Sequence, residues 1–247
     1  MYTLEKGADV NAQGGRYGNA LQAASRYGHL EVVRALLEKG ADVNAQGGTY
    51  GNALQAASNN GHLEVVRALL EKGADVNAQG GYYGNALQAA IYCGHLEVVR
   101  ALLEKGADVN AQGGEYGNAL RAAIYHGHLE VVRALLEKGA DVNAQGGYYG
   151  NALQAASRNG HLEVVRALLE KGADVNAQGG FYGNALQAAS RSGHLEVVRA
   201  LLEKGADVNA QGGKYSSALN AARYQWHSEV IAALLEAGAV DDVYESY

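Results

Sequence analysis

The stretch Gly61–Ala78 reads GHLEVVRALLEKGADVNA, and the same letters recur unchanged from Gly28, Gly94, Gly127, Gly160 and Gly193, 33 residues apart wherever the copies are consecutive. A chain that copies itself at this period is made of units too small to bury their own apolar faces, so the units must stack. Within the stretch, Leu63, Val66, Leu69 and Leu70 fall on one side of a helix while Glu64, Arg67 and Glu71 point away. Gly73 ends that helix. A shorter helix precedes it, opened by NALQAA from Asn52, whose side-chain oxygen is placed to cap it. Gly61 closes the short helix as a left-handed residue. The run ADVNAQGGYYG from Ala74 is an extended return with two glycines at a tight turn.

Slim Ala53, Ala56 and Ala57 on the first helix face thicker leucines and valines on the second. That imbalance predicts a helical solenoid curved toward its first helices, which would line a concave face. The expected division is a partial repeat over residues 1–18, six full repeats over 19–216, and a divergent capping repeat over 217–247. The start lacks a first helix, so apolar surface around Leu4, Leu21 and Leu30 is expected to be open to end-to-end self-association. Such a chain reads as the C-terminal end of a longer array, or as an engineered imitation of one.

At this point the residues carry a resemblance. GHLEVVRALLEKGADVNA is similar to the core of the ankyrin repeat, and the likeness runs over essentially the whole chain. The departure is at the first helix, where that family usually has Thr-Pro-Leu-His and this chain has Asn-Ala-Leu-Gln. Asn replaces Thr as a cap, and Gln55 replaces His as a hydrogen-bonding group between units. The GGxYGNALQAAS dialect resembles ankyrin arrays of fungal proteins, including the sensor ends of fungal NOD-like receptors. The resemblance implies an all-α fold with hairpin-like loops, and a protein partner gripped by loop tips and first-helix ends.

Composition agrees with a stacked fold. Hydrophobic residues make up 48% of the 247, yet Phe, Trp and Met occur once each. Proline is absent, against an average usage of about 5%. Cys93 is the single cysteine, which excludes an internal disulfide and a cysteine-built metal cage. No apolar run approaches the ~18 residues of a membrane span, and the N-terminus has no basic start followed by an apolar stretch. A cytoplasmic, membrane-independent protein is expected.

Repetition argues against catalysis, because a catalytic constellation is normally unique. His29-Leu30-Glu31 has the His-X-Glu spacing of zinc deaminases, but it recurs in every full repeat and lacks its Pro-Cys-X-X-Cys partner. These histidines are expected to start the second helix and bond loop backbone. Gly-Gly-X-Tyr-Gly lacks the lysine and the strand of a phosphate loop. Ser25, Ser58, Ser157 and Ser190 precede Gly-His, but no unique acid orients the histidine. Cys93 and His126 would supply only two metal ligands, so neither a metal site nor a cofactor is expected.

The repeats differ at five positions. One is the loop tip: Arg16, Thr49, Tyr82, Glu115, Tyr148, Phe181 and Lys214. Three end the first helix: Ser25-Arg26-Tyr27, Ser58-Asn59-Asn60, Ile91-Tyr92-Cys93, Ile124-Tyr125-His126, Ser157-Arg158-Asn159 and Ser190-Arg191-Ser192, then Arg223-Tyr224-Gln225. The fifth is Gln22 and its equivalents, which becomes Arg121 once. Free drift would give small or charged residues there, whereas Tyr82, Ile91, Tyr92, Ile124, Tyr125, Tyr148 and Phe181 are of the kind that carries interface energy. The net charge is −6, yet the variable positions hold Arg16, Arg26, Arg121, Arg158, Arg191, Lys214 and Arg223 against Glu115 alone. The expected contact set is Arg26, Tyr27, Tyr82, Ile91, Tyr92, Cys93, Glu115, Arg121, Ile124, Tyr125, His126, Tyr148, Arg158, Phe181 and Arg191. They suit a protein partner with an apolar anchor and an acidic rim, and an acidic body with dispersed bases argues against nucleic acid. The alternative is a structural scaffold with no dedicated partner. The tyrosine that follows every loop tip, from Tyr17 to Tyr215, is expected to pack between successive loops.

Overall fold

The computed structural model describes residues 9–146 and 148–240. The chain divides into two compact units, Met1–Ala123 and Ile124–Tyr247. Leu4 and the tail beyond Val240 lie outside the described residues.

The first unit holds α1 (Ala20–Arg26), α2 (Leu30–Glu38), α3 (Ala53–Asn59), α4 (Leu63–Glu71), α5 (Ala86–Tyr92), α6 (Leu96–Glu104) and the short hairpin β1 (Gln112–Gly113) and β2 (Gly117–Asn118). Helix α7 (Ala119–Tyr125) contains the point of division. The second unit continues with α8 (Leu129–Glu137), α9 (Ala152–Asn159), α10 (Leu162–Glu170), α11 (Ala185–Ser192), α12 (Leu195–Glu203), α13 (Ala218–Tyr224) and α14 (Ser228–Glu236). Among the described residues this is an array of helix pairs joined by extended loops. Elsewhere the hairpin shrinks to single bridges such as Gly47↔Gly51 and Gly179↔Gly183.

Local chemistry sets each helix. The Asn52 side chain accepts the Gln55 amide at 2.8 Å, and Asn151 and Gln154 cap each other reciprocally; such a cap stabilises a helix end by about 1 kcal/mol. Gly160 and Gly193 close α9 and α11 in the left-handed region, at φ 73° and 75°. In the first unit α3 packs between α1 and α5, and in the second α11 packs between α9 and α13. The first helices approach one another more closely than the second helices do, because Ala56, Ala57, Ala188 and Ala189 at their contacts are fully buried and small.

The second-helix face differs in detail from the sequence reading. Val65, Val66 and Leu69 are buried, while Leu63 and Leu70 are only half-buried. Leu21 is also buried, at 1% exposure. It therefore does not belong to an open apolar surface, which corrects the expectation for that residue.

Repeats are tied by polar arms as well as by apolar contact. Gln22 Nε2 donates to the carbonyls of Ala45 and Gly51, and Gln187 Nε2 to those of Ala210 and Ser216. Asn44 does the same at the loop base, donating to the Gly73 carbonyl and accepting the Asp75 amide. His62 Nε2 lies 2.9 Å from the Arg26 carbonyl, and His194 Nε2 lies 3.1 Å from that of Arg158. His62, His95, His194 and His227 thus bond the end of the preceding repeat's first helix, not loop backbone.

Candidate partner-binding face

In each unit the loop tips are stitched in series. The Thr49 amide donates to the Arg16 carbonyl and Tyr82 to Thr49; in the second unit Phe181 donates to Tyr148 and Lys214 to Phe181. These bonds hold the variable tip residues in a row beside the ends of the first helices.

In the first unit Tyr82 is 58% exposed, and its hydroxyl donates to Glu115 Oε2 at 3.0 Å. That carboxylate raises the Tyr82 pKa, because a neutral phenol keeps the bond. The Tyr82 ring meets Tyr83 edge-on at 5.0 Å. Tyr92, half-buried, lies between the repeat-invariant Tyr83 and Tyr116, at 5.0 and 6.4 Å. Arg26 fills the same register one pair of repeats earlier. Its Nε donates to the Tyr50 hydroxyl at 2.9 Å, and its Nη1 to those of Tyr17 and Tyr27 at 2.8 Å. Asn59 Nδ2 reaches the Cys93 sulfur at 3.5 Å, and burial raises the pKa of that thiol. Arg121 is half-buried where other repeats have glutamine, and burial lowers its pKa.

In the second unit Tyr148 is 58% exposed and stacks on Phe181 at 4.9 Å, with Lys214 Nζ 5.1 Å from the Phe181 ring. Behind them Tyr149, Tyr182 and Tyr215 form a ladder of near-parallel rings, 6.4 and 6.5 Å apart. Arg191 Nε donates to the Tyr215 hydroxyl at 2.9 Å, and the Tyr182 hydroxyl raises the pKa of Arg158. Tyr125 is 48% exposed and meets His126 edge-on, with His126 stacked on His128.

Two expected contact residues are corrected. Ile91 and Ile124 have no exposed surface, so neither touches a partner. The first letter of each variable triplet is a core position, filled elsewhere by Ser25, Ser58, Ser157 and Ser190, all fully buried. One signal was in the sequence: across the six full repeats no charged residue stands there, only Ser or Ile. The arginines are also less free than expected. Arg26 and Arg191 each donate to the invariant tyrosine of the following repeat, so they brace the row of rings while keeping their charge.

A family model described as ankyrin repeats (three copies) matches residues 1–80, 47–113, 82–146, 112–179 and 149–212. The chain belongs to the ankyrin repeat family. Ankyrin repeats serve generally as protein-interaction modules, not as enzymes. The crystal structure of the human ASB11 ankyrin repeat domain is similar, with a TM-score of 0.79 and 29% identity, covering 90% of this chain and 99% of that one. No curated protein matched the sequence. Among the described residues no helix is long and apolar enough to cross a membrane, and no group of three or more His, Cys, Asp or Glu is placed to hold a metal ion.

Proposed function

We propose that this ankyrin repeat chain is a non-enzymatic module that binds a protein through its loop tips and first-helix ends. The observation that carries the reading is the exposure of Tyr82, Tyr125 and Tyr148, each about half open or more and each resting on a packed aromatic neighbour. A ring held in place before binding loses little conformational freedom on contact, which is what makes tyrosine an effective anchor. Tyr82 and Tyr92 serve the first unit; Tyr125, Tyr148 and Phe181 serve the second. Arg26, Arg121, Arg158 and Arg191 favour an acidic rim on the partner. The cytoplasm is the compartment that suits a chain with one thiol.

The test uses substitutions that other repeats already carry in the same register. Thr49 stands at the register of Tyr82 and Tyr148, and Asn59 at that of Tyr125. Affinity capture from a lysate with the parent chain, and with a Y82T/Y125N/Y148T chain of unchanged circular dichroism, compares like with like. Loss of the captured protein in the triple variant supports the proposal. Equal capture refutes it.

A further inference from the structure

The row of repeat-invariant tyrosines already receives cations from within the chain. The Arg26 guanidinium carbon sits 4.8 Å from the centre of the Tyr17 ring and 5.6 Å from that of Tyr50. Arg191, in the same register, sits 5.4 Å from Tyr215 and 5.2 Å from Tyr224. Ring faces carry negative charge density, which is why a cation settles there. Between Tyr83 and Tyr116 this register is held by Tyr92, a ring in place of the cation.

The loop tips of the same two repeats carry Tyr82 and Glu115, the one acid at the variable positions. Tyr82, Tyr83, Tyr92, Tyr116 and Glu115 line a recess with room for one water-sized group, about 10 Å³. We infer that this recess takes the side-chain ammonium of a lysine on the protein partner. The inference rests on the reading of this face as a protein-binding surface.

Three features select that group. Charge comes first. Glu115 is exposed, and among the described residues no arginine, lysine or histidine forms an ion pair with it. Its Oε2 accepts the Tyr82 hydroxyl at 3.0 Å, which holds the carboxylate against a ring of the recess. Arg121, the cation of the same repeat, does not line the recess; a Cβ added at Gly117 would meet its guanidinium. Size comes second. A guanidinium or a trimethylammonium group exceeds the space, whereas a primary ammonium matches a water molecule. Placement is third. Tyr92 lies 5.0 Å from Tyr83 and 6.4 Å from Tyr116, and Tyr82 meets Tyr83 edge-on. Rings fixed by one another need little reordering to receive a cation.

The second unit differs at its tips. There Lys214 Nζ lies 5.1 Å from the Phe181 ring, so the chain supplies its own cation.

The test titrates N-acetyl-lysine N-methylamide into the full chain and follows the amide resonances of Tyr82, Tyr83 and Tyr116. Matched probes carry norleucine, arginine or trimethyl-lysine. The lysine probe should shift these resonances saturably at millimolar concentration, and the others should bind at least about fivefold more weakly. Glu115→Gln should weaken the lysine probe about threefold. Tyr92→Arg installs the guanidinium that Arg26 and Arg191 supply elsewhere, and should abolish the shifts at unchanged melting temperature. No saturable shift with lysine, an equal response to norleucine, or undiminished binding in either variant overturns the inference. Arginine or trimethyl-lysine binding as tightly as lysine overturns the assignment to a primary ammonium. The same shifts on concentrating the chain alone would place a second copy's lysine there and overturn the assignment to a partner. The probe requires no partner. Its failure, beside loss of capture by the Y82T/Y125N/Y148T chain, refutes the lysine site alone, whereas equal capture by that chain refutes the proposed function.

Discussion

Arg191 donates its Nε proton to the hydroxyl of Tyr215, one repeat further on, at 2.9 Å, and its guanidinium carbon sits 5.4 Å from the centre of that ring. It also lies 5.2 Å from the ring of Tyr224. A residue first legible as a free charge is therefore a brace between repeats. Arg191→Ala should cost about 1 kcal/mol in a urea unfolding series, the sum of a modest hydrogen bond and a partly exposed cation–π contact. Arg191→Lys keeps the charge but loses the planar contact and recovers little. An alanine variant as stable as the parent would remove this role.

The buried triplet position makes a paired prediction. The hydroxyls of Ser58, Ser157 and Ser190 are buried with no hydrogen-bond partner. Ser58→Ala should therefore leave stability unchanged or raise it by about 1 kcal/mol. Ile91→Ala removes packed volume instead, and should cost about 3 kcal/mol. Thermal or urea denaturation reads both, and a costly Ser58→Ala would show that its hydroxyl has a partner.

Stability should fall on mild acidification. Burial is the main cause that lowers the pKa of both His161 and His194, which sit near one another. A lowered histidine pKa means that the unfolded chain binds protons first. Stability from these groups is complete above the unfolded value of about 6.5 and declines as pH falls from there toward the folded values. Melting temperature should drop between about pH 7.5 and 5.5, and His194→Gln, which can still donate to the Arg158 carbonyl, should flatten that slope. An unchanged slope in the variant would assign the acid sensitivity elsewhere.

The fold was legible because its determinants are local and repeated. Asn52 before Ala-Leu-Gln, Gly61 before His62, and the Leu-Val spacing of α4 each specify one backbone event, and the 33-residue period supplies the stacking. The candidate face was legible only in part. Tyr82, Tyr125 and Tyr148 are exposed as their position suggested. Ile91 and Ile124 are not, because register on a short helix turns neighbouring letters to opposite sides: one into the adjacent repeat, the next toward the loops. Nor does composition show that Arg26 meets Tyr50 or that Arg191 meets Tyr215, since those pairs are 24 residues apart and meet only after stacking.

The protein-binding reading rests on the exposed rings, and a titration tests it most directly. The captured partner is titrated into the parent chain and into the Y82T/Y125N/Y148T chain, with calorimetry as the readout. Interface tyrosines that act as anchors contribute about 2 kcal/mol each, so the predicted result is a dissociation constant weaker by at least about 100-fold at unchanged melting temperature. A dissociation constant within about twofold of the parent's would contradict the account.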